Sequence, residues 1–129
     1  MGRLRAVIDL VADAHAPATG RLVTAALVSL WGLPDLREDA QLIVSELVTN
    51  AVQHAPGGEP LELELSRQDR GIRISLADSS ADHPVVVVAA DRPRGRGMLL
   101  IEALCTAWGA EDRPGGKRVW VDLVQSSPA

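Results

Sequence analysis

The 129-residue sequence contains no phenylalanine, no tyrosine, one cysteine and only three tryptophans. Proteins that read single-stranded nucleic acid stack its bases on aromatic side chains, so this scarcity argues against that function. The single cysteine, Cys105, cannot form an intramolecular disulfide or a multi-cysteine metal site. A formal net charge of −4 also gives no basic surface for DNA or RNA. These absences leave a protein that does not act directly on nucleic acid.

Long apolar runs are absent as well. None reaches the roughly 20 residues of a membrane span, and Asp9 and Asp13 interrupt the segment where a signal peptide needs an apolar stretch. Hydrophobic residues make up 47% and charged residues 23% of the chain, which is typical of a globular protein. We therefore expect a soluble, cytoplasmic protein with one domain over residues 1–129. Its core should span about 18–124, and 125–129 should form a tail.

The periodicity of apolar residues predicts helices. Pro17 and Gly20 indicate a break before the first helix, and Asp35 with Glu38 resembles a capping box at the start of the second. The predicted helices run from Ala18 or Thr19 to Trp31, from Asp35 to about His54, and over Gly97–Ala107.

Alternation of apolar and polar residues predicts strands. The first predicted strand is Arg3–Leu10. A hairpin follows, with strands over 61–66 and 72–78 joined by a Gln68–Gly71 turn. A second hairpin joins Trp108–Glu111 to Lys117–Val124 through an Arg113–Gly116 turn. Residues 79–96 are predicted to form mainly a long loop. Because helices and an antiparallel sheet segregate along the chain, the pattern indicates an α+β fold, a two-layer sandwich with helices on one face of the sheet.

Two polar residues of the second helix suit metal-dependent chemistry. Glu46 and Asn50 are four residues apart and therefore project from one helix face, one turn apart. A carboxylate and a carboxamide in this arrangement suit oxygen coordination of Mg²⁺, or a general base beside a metal ion. The alternative is a solvated helix face without chemistry.

Two further segments could contact a nucleotide. The carboxylate of Asp78 ends a strand, where it can accept hydrogen bonds from an amino group or can simply cap a turn. The sequence Arg94-Gly95-Arg96-Gly97 offers backbone N–H groups and guanidinium groups to phosphate oxygens, or forms an ordinary helix-entry loop. Taken one at a time, these residues do not decide between the alternatives.

The order of these motifs resembles that of a known family. Ser45–His54, which reads S-E-L-V-T-N-A-V-Q-H, resembles the N-box of the GHKL ATPase superfamily. The closest resemblance is to its anti-sigma-factor serine/threonine kinase branch, which includes small stand-alone regulators of Gram-positive, high-GC bacteria. The resemblance extends from about Ala18 to Leu123. The supporting matches are Trp31-Gly32-Leu33, Asp78, Gly95-Arg96-Gly97-Met98, Trp108-Gly109 and Gly116-Lys117.

The resemblance implies a mixed, mainly antiparallel sheet packed against helices, with ATP and Mg²⁺ as cofactors between the helices and a mobile lid. It implies that Asn50 is the Mg²⁺ ligand and Glu46 the general base for a substrate hydroxyl. It further implies that Asp78 accepts a hydrogen bond from the adenine amino group. The lid residues that would cradle the phosphates are Arg94, Gly95, Arg96 and Gly97.

Two positions depart from the family pattern. The usual D-x-G-x-G motif is replaced by Asp78-Ser79-Ser80-Ala81-Asp82, which has neither glycine and thus less freedom to pass close to a nucleotide. The last strand has Arg118 where the family often carries a threonine near Gly116-Lys117. Both departures favour an alternative in which nucleotide binding is weak or lost.

The resemblance therefore implies an ATP-dependent serine/threonine protein kinase in transcription regulation. Its substrate would be a serine of an anti-sigma-factor antagonist, a small STAS-type protein, and it would sequester a sigma factor. The alternative is a non-catalytic binding module with a degenerate nucleotide site. A split histidine kinase is less favoured, because the chain has no dimerisation helix with a phospho-acceptor histidine. The oligomeric state, including a homodimer, stays open.

Overall fold

The computed structural model describes residues 4–54, 59–79 and 93–125, with the side chains of 93–98 excluded. Most of the predicted 79–96 loop and the predicted helix stop at 56–58 lie outside these ranges. The elements are β1 (Arg5–Leu10), α1 (Ala16–Leu30), a 3₁₀ turn (Pro34–Leu36), α2 (Arg37–His54), β2 (Leu61–Gln68), β3 (Gly71–Asp78), α3 (Pro93–Leu104), β4 (Ala107–Arg113) and β5 (Gly116–Val124).

The strands form one sheet in the order β1-β2-β3-β5-β4. Every pairing between the described strands is antiparallel, so the sheet in these ranges is antiparallel rather than mixed. Short turns connect β2 to β3 and β4 to β5. Gly115 in the second turn has a φ of 78°, a conformation that favours glycine. The predicted α+β fold and both predicted hairpins are confirmed.

One face of the sheet packs against the helices and forms the core. Alternate strand residues are buried on this face because successive side chains of a strand point to opposite sides. The buried aliphatic residues of the strands are Leu10, Leu61, Leu63, Leu65, Ile72, Ile74, Leu76, Val119, Val121 and Leu123. Those of α2 are Ala40, Ile43, Val44, Leu47, Val48 and Ala51. The core is thus mostly aliphatic, as the absence of phenylalanine and tyrosine requires.

Gly20 lies inside α1, so the prediction that it helps to break the chain there is wrong. A Cβ atom at Gly20 would lie 2.9 Å from Val44 Cγ1 and 3.7 Å from Leu10 Cδ1. The missing side chain therefore allows α1 to approach α2 closely. Pro17 is also part of α1, within its first turn, where a backbone N–H has no partner in the helix and proline is tolerated.

Two predicted helix starts are also wrong. Asp35 does not begin α2; it lies in the 3₁₀ turn, and its carboxylate accepts a hydrogen bond from Gln125 Nε2 at 3.1 Å. α3 begins at Pro93 rather than Gly97, because proline fits the first position of a helix. It ends at Leu104 rather than Ala107.

The outer face of the sheet carries a network of ion pairs. Arg5 Nε lies 2.9 Å from Glu64 Oε2, and Arg118 Nη1 lies 3.2 Å from Glu64 Oε1. Arg118 also donates to Glu62 at 3.0 Å and to Ser75 Oγ at 3.1 Å. The hydrogen bond from Arg5, and then that from Arg118, hold the pKa of Glu64 below its ordinary value. The network thus connects four adjacent strands of the sheet, β1, β2, β3 and β5.

Arg73 forms a second cluster on the same face. Its guanidinium makes a two-point contact with the carboxylate of Asp122, at 2.7 and 2.8 Å. The guanidinium carbon also lies 4.4 Å from the centre of the Trp120 ring. An ion pair and a cation–π contact thus connect β3 to β5 on this face.

Candidate functional site

Glu46 and Asn50 lie on one flank of α2. The opposite flank contacts α1, where Arg21 Nη1 donates to Ser45 Oγ at 2.9 Å and Gln41 Nε2 donates to the Arg21 carbonyl at 3.3 Å. At about 100° per residue, Glu46 and Asn50 point away from this contact. Both are partly exposed, and neither makes a side-chain hydrogen bond within the described ranges. A carboxylate and an amide oxygen are thus available side by side.

One of the three elements that carry the predicted site residues packs against the other two. α2, with Glu46 and Asn50, contacts both β3 and α3. Asp78 is the last residue of β3, and Arg94–Gly97 lie within the first turns of α3. All the predicted site residues therefore belong to three neighbouring elements.

Asp78 forms a buried ion pair with Lys117 on β5. The two residues are register partners, and Lys117 Nζ donates to both carboxylate oxygens of Asp78 at 3.1 Å each. The side chains are only 4% exposed for Asp78 and 7% for Lys117. Removing either partner would leave a buried charge without compensation, which typically costs about 3–5 kcal/mol.

Lys117 was not among the residues that the sequence predicts for the site. A signal for it exists in β5, where Lys117, Val119 and Val121 alternate on the buried side of the strand. A lysine at the first buried position of such a pattern needs an acidic partner. Only the register with β3 identifies that partner as Asp78.

Two polar groups at this ion pair, the Ser79 hydroxyl and the Lys117 ammonium, make fewer hydrogen bonds with the described residues than they can. The Ser79 hydroxyl oxygen is buried and has no hydrogen-bond partner in the described part of the chain. An ammonium group has three N–H donors, and Lys117 uses two of them on Asp78. No other described residue accepts the third. Buried polar groups without partners are costly, so this end of the sheet suits a polar ligand.

The first turn of α3 supplies a second feature of the site. The leading N–H groups of an α-helix have no partner within the helix, and they bind anions readily. Arg94–Gly97 follow Pro93 directly and so include these positions. Their backbone can contact phosphate oxygens in the helix, without the loop that the sequence suggested.

The residues that form these features all lie within the range that matches one protein-family model. The model for the histidine kinase-like ATPase domain matches residues 10–123. The chain belongs to this family. The match includes α2, β3 and α3, which carry all the predicted site residues, and most of β5, which carries Lys117. A search of the curated proteins found no match.

Membership in the histidine kinase-like ATPase family implies ATP binding and a regulatory, kinase-like function. Within the described ranges, no group of three or more His, Cys, Asp or Glu side chains could hold a metal ion. Mg²⁺ commonly keeps several waters and takes one or two protein oxygens together with substrate phosphates. The amide oxygen of Asn50 therefore suits it without such a group.

None of the helices in the described part of the chain is long and apolar enough to cross a membrane.

Proposed function

We propose that the chain is one ATP-binding domain that acts as a cytoplasmic serine/threonine protein kinase. Its substrate would be a serine of a small STAS-type anti-sigma-factor antagonist, and it would sequester a sigma factor. The observation that carries the proposal is the pair Glu46 and Asn50, which lie partly exposed on the same flank of α2, a helix that contacts β3 and α3. The resemblance of the surrounding N-box to the anti-sigma-factor kinases supports this choice of substrate and partner.

The residues at the end of β3 fit a bound nucleotide. The Ser79 hydroxyl, which has no partner among the described residues, and the third N–H of Lys117 both lie next to Asp78. An adenine ring offers groups that could satisfy them. Asn50 would hold Mg²⁺, and the first turn of α3, with Arg94, would bind phosphates. When bound, ATP with Mg²⁺ would supply the phosphoryl group for the serine.

The role proposed for Glu46 is that of general base. Its carboxylate has no side-chain hydrogen bond within the described residues, so it can accept the proton of an incoming hydroxyl. Asn50, one turn further along the same helix face, would keep the metal close to that proton transfer. General-base catalysis of this kind typically contributes about 10²–10⁴-fold in rate.

The test compares Glu46→Gln with wild type in radiolabelled phosphate transfer from ATP to a STAS-type antagonist protein. Glutamine keeps the size of the side chain but removes its basicity. We expect transfer to fall by about 10²-fold or more, while the affinity for ATP stays within a few-fold. Glu38→Gln, at an exposed position in the first turn of α2, is the matched control and should transfer phosphate at the wild-type rate. Equal transfer by Glu46→Gln would remove Glu46 from the mechanism.

The second candidate function is a binding module without kinase activity. It is favoured by the segment after Asp78, which lacks both glycines of the D-x-G-x-G motif, and by the occupation of both Asp78 oxygens by Lys117. In the same assay, this function predicts no transfer by wild type even where antagonist or sigma factor binds. Transfer by wild type would exclude it.

A further inference from the structure

β1 leaves one edge of the sheet open in the described part of the chain. It stands at the end of the strand order and pairs there only with β2. Proteins often protect such an edge with proline, lysine or a bulge, and β1, which reads R-A-V-I-D-L, has none of these. The side chains of Leu4, Val7 and Val11, in or beside this strand, are all at least 45% exposed. An unprotected edge strand is a template for pairing with another chain.

The pairing with β2 determines which backbone groups of β1 face the open edge. The Arg67 N–H donates to the Leu4 carbonyl at 2.9 Å, so Leu4 is at a position that bonds to β2. Bonded and non-bonded positions alternate along an antiparallel pair, and every second residue after Leu4 therefore bonds to β2 as well. The intervening residues direct their N–H and C=O groups to the open edge. They are Arg5, Val7 and Asp9.

The side chains of these three residues make the edge complementary to itself. As alternate residues, Arg5, Val7 and Asp9 share the outer face of the sheet. In an antiparallel pair of two β1 strands centred on Val7, this residue lies opposite its own copy, and Arg5 of each strand lies opposite Asp9 of the other. All three positions have backbone groups directed to the edge, so each pair exchanges both of its hydrogen bonds. A shift by two residues would place a charged residue opposite Val7.

The charges on this face favour the same register. Asp9 makes no ion pair or side-chain hydrogen bond with the described residues, and its register partner on β2 is a second acid, Glu62. Like charges opposite each other on a sheet are unfavourable. Arg5 binds Glu64 through Nε and Nη2, which leaves Nη1 for another acceptor. A second copy of β1 would place this guanidinium next to Asp9, which lacks a cation on the described part of its own chain.

α1 carries an apolar stripe near this edge. The stripe lies opposite Gly20, which faces α2 and Leu10 of β1. It consists of exposed residues spaced four apart, Ala18, Leu22, Ala26 and Leu30. Residues that pair across strands share a face, so the helices of two paired copies lie on the same side of the joined sheet. Contact between the two stripes would add apolar area to the strand pairing and bring the interface towards the roughly 1,200 Å² of specific complexes.

We propose that the chain forms a two-fold symmetric dimer in which the β1 strands of two copies pair antiparallel, with Arg5 of each copy opposite Asp9 of the other. One patch serves both copies, as a two-fold interface requires. The sheet then continues from one copy into the next, and neither copy has an open edge at β1. The dimer needs no nucleotide and is independent of the proposed function.

The test measures the mass of the full chain by sedimentation equilibrium over a range of concentrations. Wild type should form a dimer. Arg5→Asp gives a strand with an acid at both positions, and Asp9→Arg gives one with a base at both. Each variant then places like charges opposite each other, and we expect its dimer dissociation constant to rise by about tenfold or more. An equimolar mixture of the two variants restores both opposite-charge pairs and should form a heterodimer about as tightly as wild type.

Two further variants separate the strand pairing from other effects. Glu111→Arg reverses an exposed charge on β4, the other edge strand, and is the matched control that should dimerise like wild type. Val7→Pro removes the central N–H of the open edge without changing a charge. Proline is tolerated there because this N–H does not bond to β2. The variant should be monomeric, and circular dichroism should show it folded even where the charge reversals impair folding.

Three results would overturn the proposal. The first is a wild type that stays monomeric up to its limit of solubility. The second is a folded Val7→Pro that dimerises like wild type, since the dimer would then use another surface. The third is a pair of folded charge variants that dimerise like wild type, or that stay monomeric when mixed, which would exclude the register centred on Val7. None of these results affects ATP binding, so failure of the dimer and failure of the proposed function are distinguishable.

Discussion

Gly109 on β4 lies against the indole of its register partner, Trp120 on β5. A Cβ atom at Gly109 would lie 2.7 Å from Trp120 Cζ2 and 2.8 Å from Cε2. β4 is an edge strand, and covering an edge glycine with an aromatic ring is a recognised way to stabilise a sheet. The missing side chain at Gly109 makes room for the largest ring on the outer face.

Gly109→Ala should therefore displace the Trp120 ring and lower the free energy of unfolding by about 1–3 kcal/mol, the typical cost of overpacking. Urea denaturation measures this change. A double-mutant cycle with Trp120→Val is the control, because removal of the ring should remove most of the cost of the alanine. An alanine that costs the same with and without the ring would contradict this explanation.

Thr24→Val should stabilise the protein. Thr24 is 0% exposed, and its hydroxyl has no hydrogen-bond partner in the described part of the chain. Valine has nearly the same shape and no polar atom, so the free energy of unfolding should rise by about 1 kcal/mol. Thr49→Val, at a partly exposed position of α2, should change it by less than about 0.5 kcal/mol. A less stable Thr24→Val would mean that the hydroxyl has a stabilising contact after all.

Glu64 should contribute stability that depends on pH. Its pKa is lowered by the hydrogen bond from Arg5 and by contacts with Arg118. A lowered pKa means that the contribution is fully present above the ordinary value of about 4.3 and is lost as the pH falls through the lower, folded-state pKa. Glu64→Gln should thus be less stable near neutral pH, by about 1 kcal/mol or less for partly exposed pairs. The difference from wild type should shrink in acid.

Thermal unfolding of both proteins between pH 7 and pH 2 (roughly the range in which carboxylates titrate) would test this dependence. Glu59→Gln, an exposed glutamate outside the network, is the matched control and should follow the wild-type curve at every pH. A constant difference between Glu64→Gln and wild type would exclude titration of Glu64 as its source.

Gly95→Ala combined with Gly97→Ala should separate helix stability from ligand binding. Both glycines lie in α3, where alanine is favoured over glycine by about 1 kcal/mol per residue. The apo protein should therefore be more stable than wild type in thermal unfolding. If the backbone here contacts phosphates, as the family resemblance implies, the two methyl groups should weaken ATP binding at the same time. If calorimetry shows the same affinity for ATP as in wild type, the two glycines do not contact the phosphates and are ordinary residues of the helix.

The sequence was a good guide where structure depends on neighbours along the chain. The alternation in β2 and β3, and the turn between them, are local features, and both were predicted. The common helix face of Glu46 and Asn50 follows in the same way from helical geometry. Gly20 shows the limit, because a glycine that breaks the chain before a helix and one that allows close packing look identical in sequence. The contacts with Val44, Val48 and Leu10, which lie on other elements, distinguish the two cases.

The partners of charged residues could not be predicted for the same reason. Each ion pair of the outer face joins different strands, such as Arg5 to Glu64 and Arg73 to Asp122, and depends on the register between them. The pairing of Asp78 with Lys117 depends on the register of β3 with β5, elements separated by α3 and β4. The sequence therefore predicts the common helix face of Glu46 and Asn50, but it does not predict the ion pair at the strand ends.

Lys117 is the only lysine in the sequence, and its ammonium is almost fully covered. Acylating reagents attack only an uncharged, accessible amine, so in the folded protein the side chain reacts only after the end of β5 has separated from Asp78. The mass gained by acetylation at this one residue would measure how often that separation occurs, in the way that hydrogen exchange measures the opening of backbone groups. A bound ligand that held the strand ends together would slow the acetylation of Lys117. The rate at this single lysine would therefore report how often the strand ends separate.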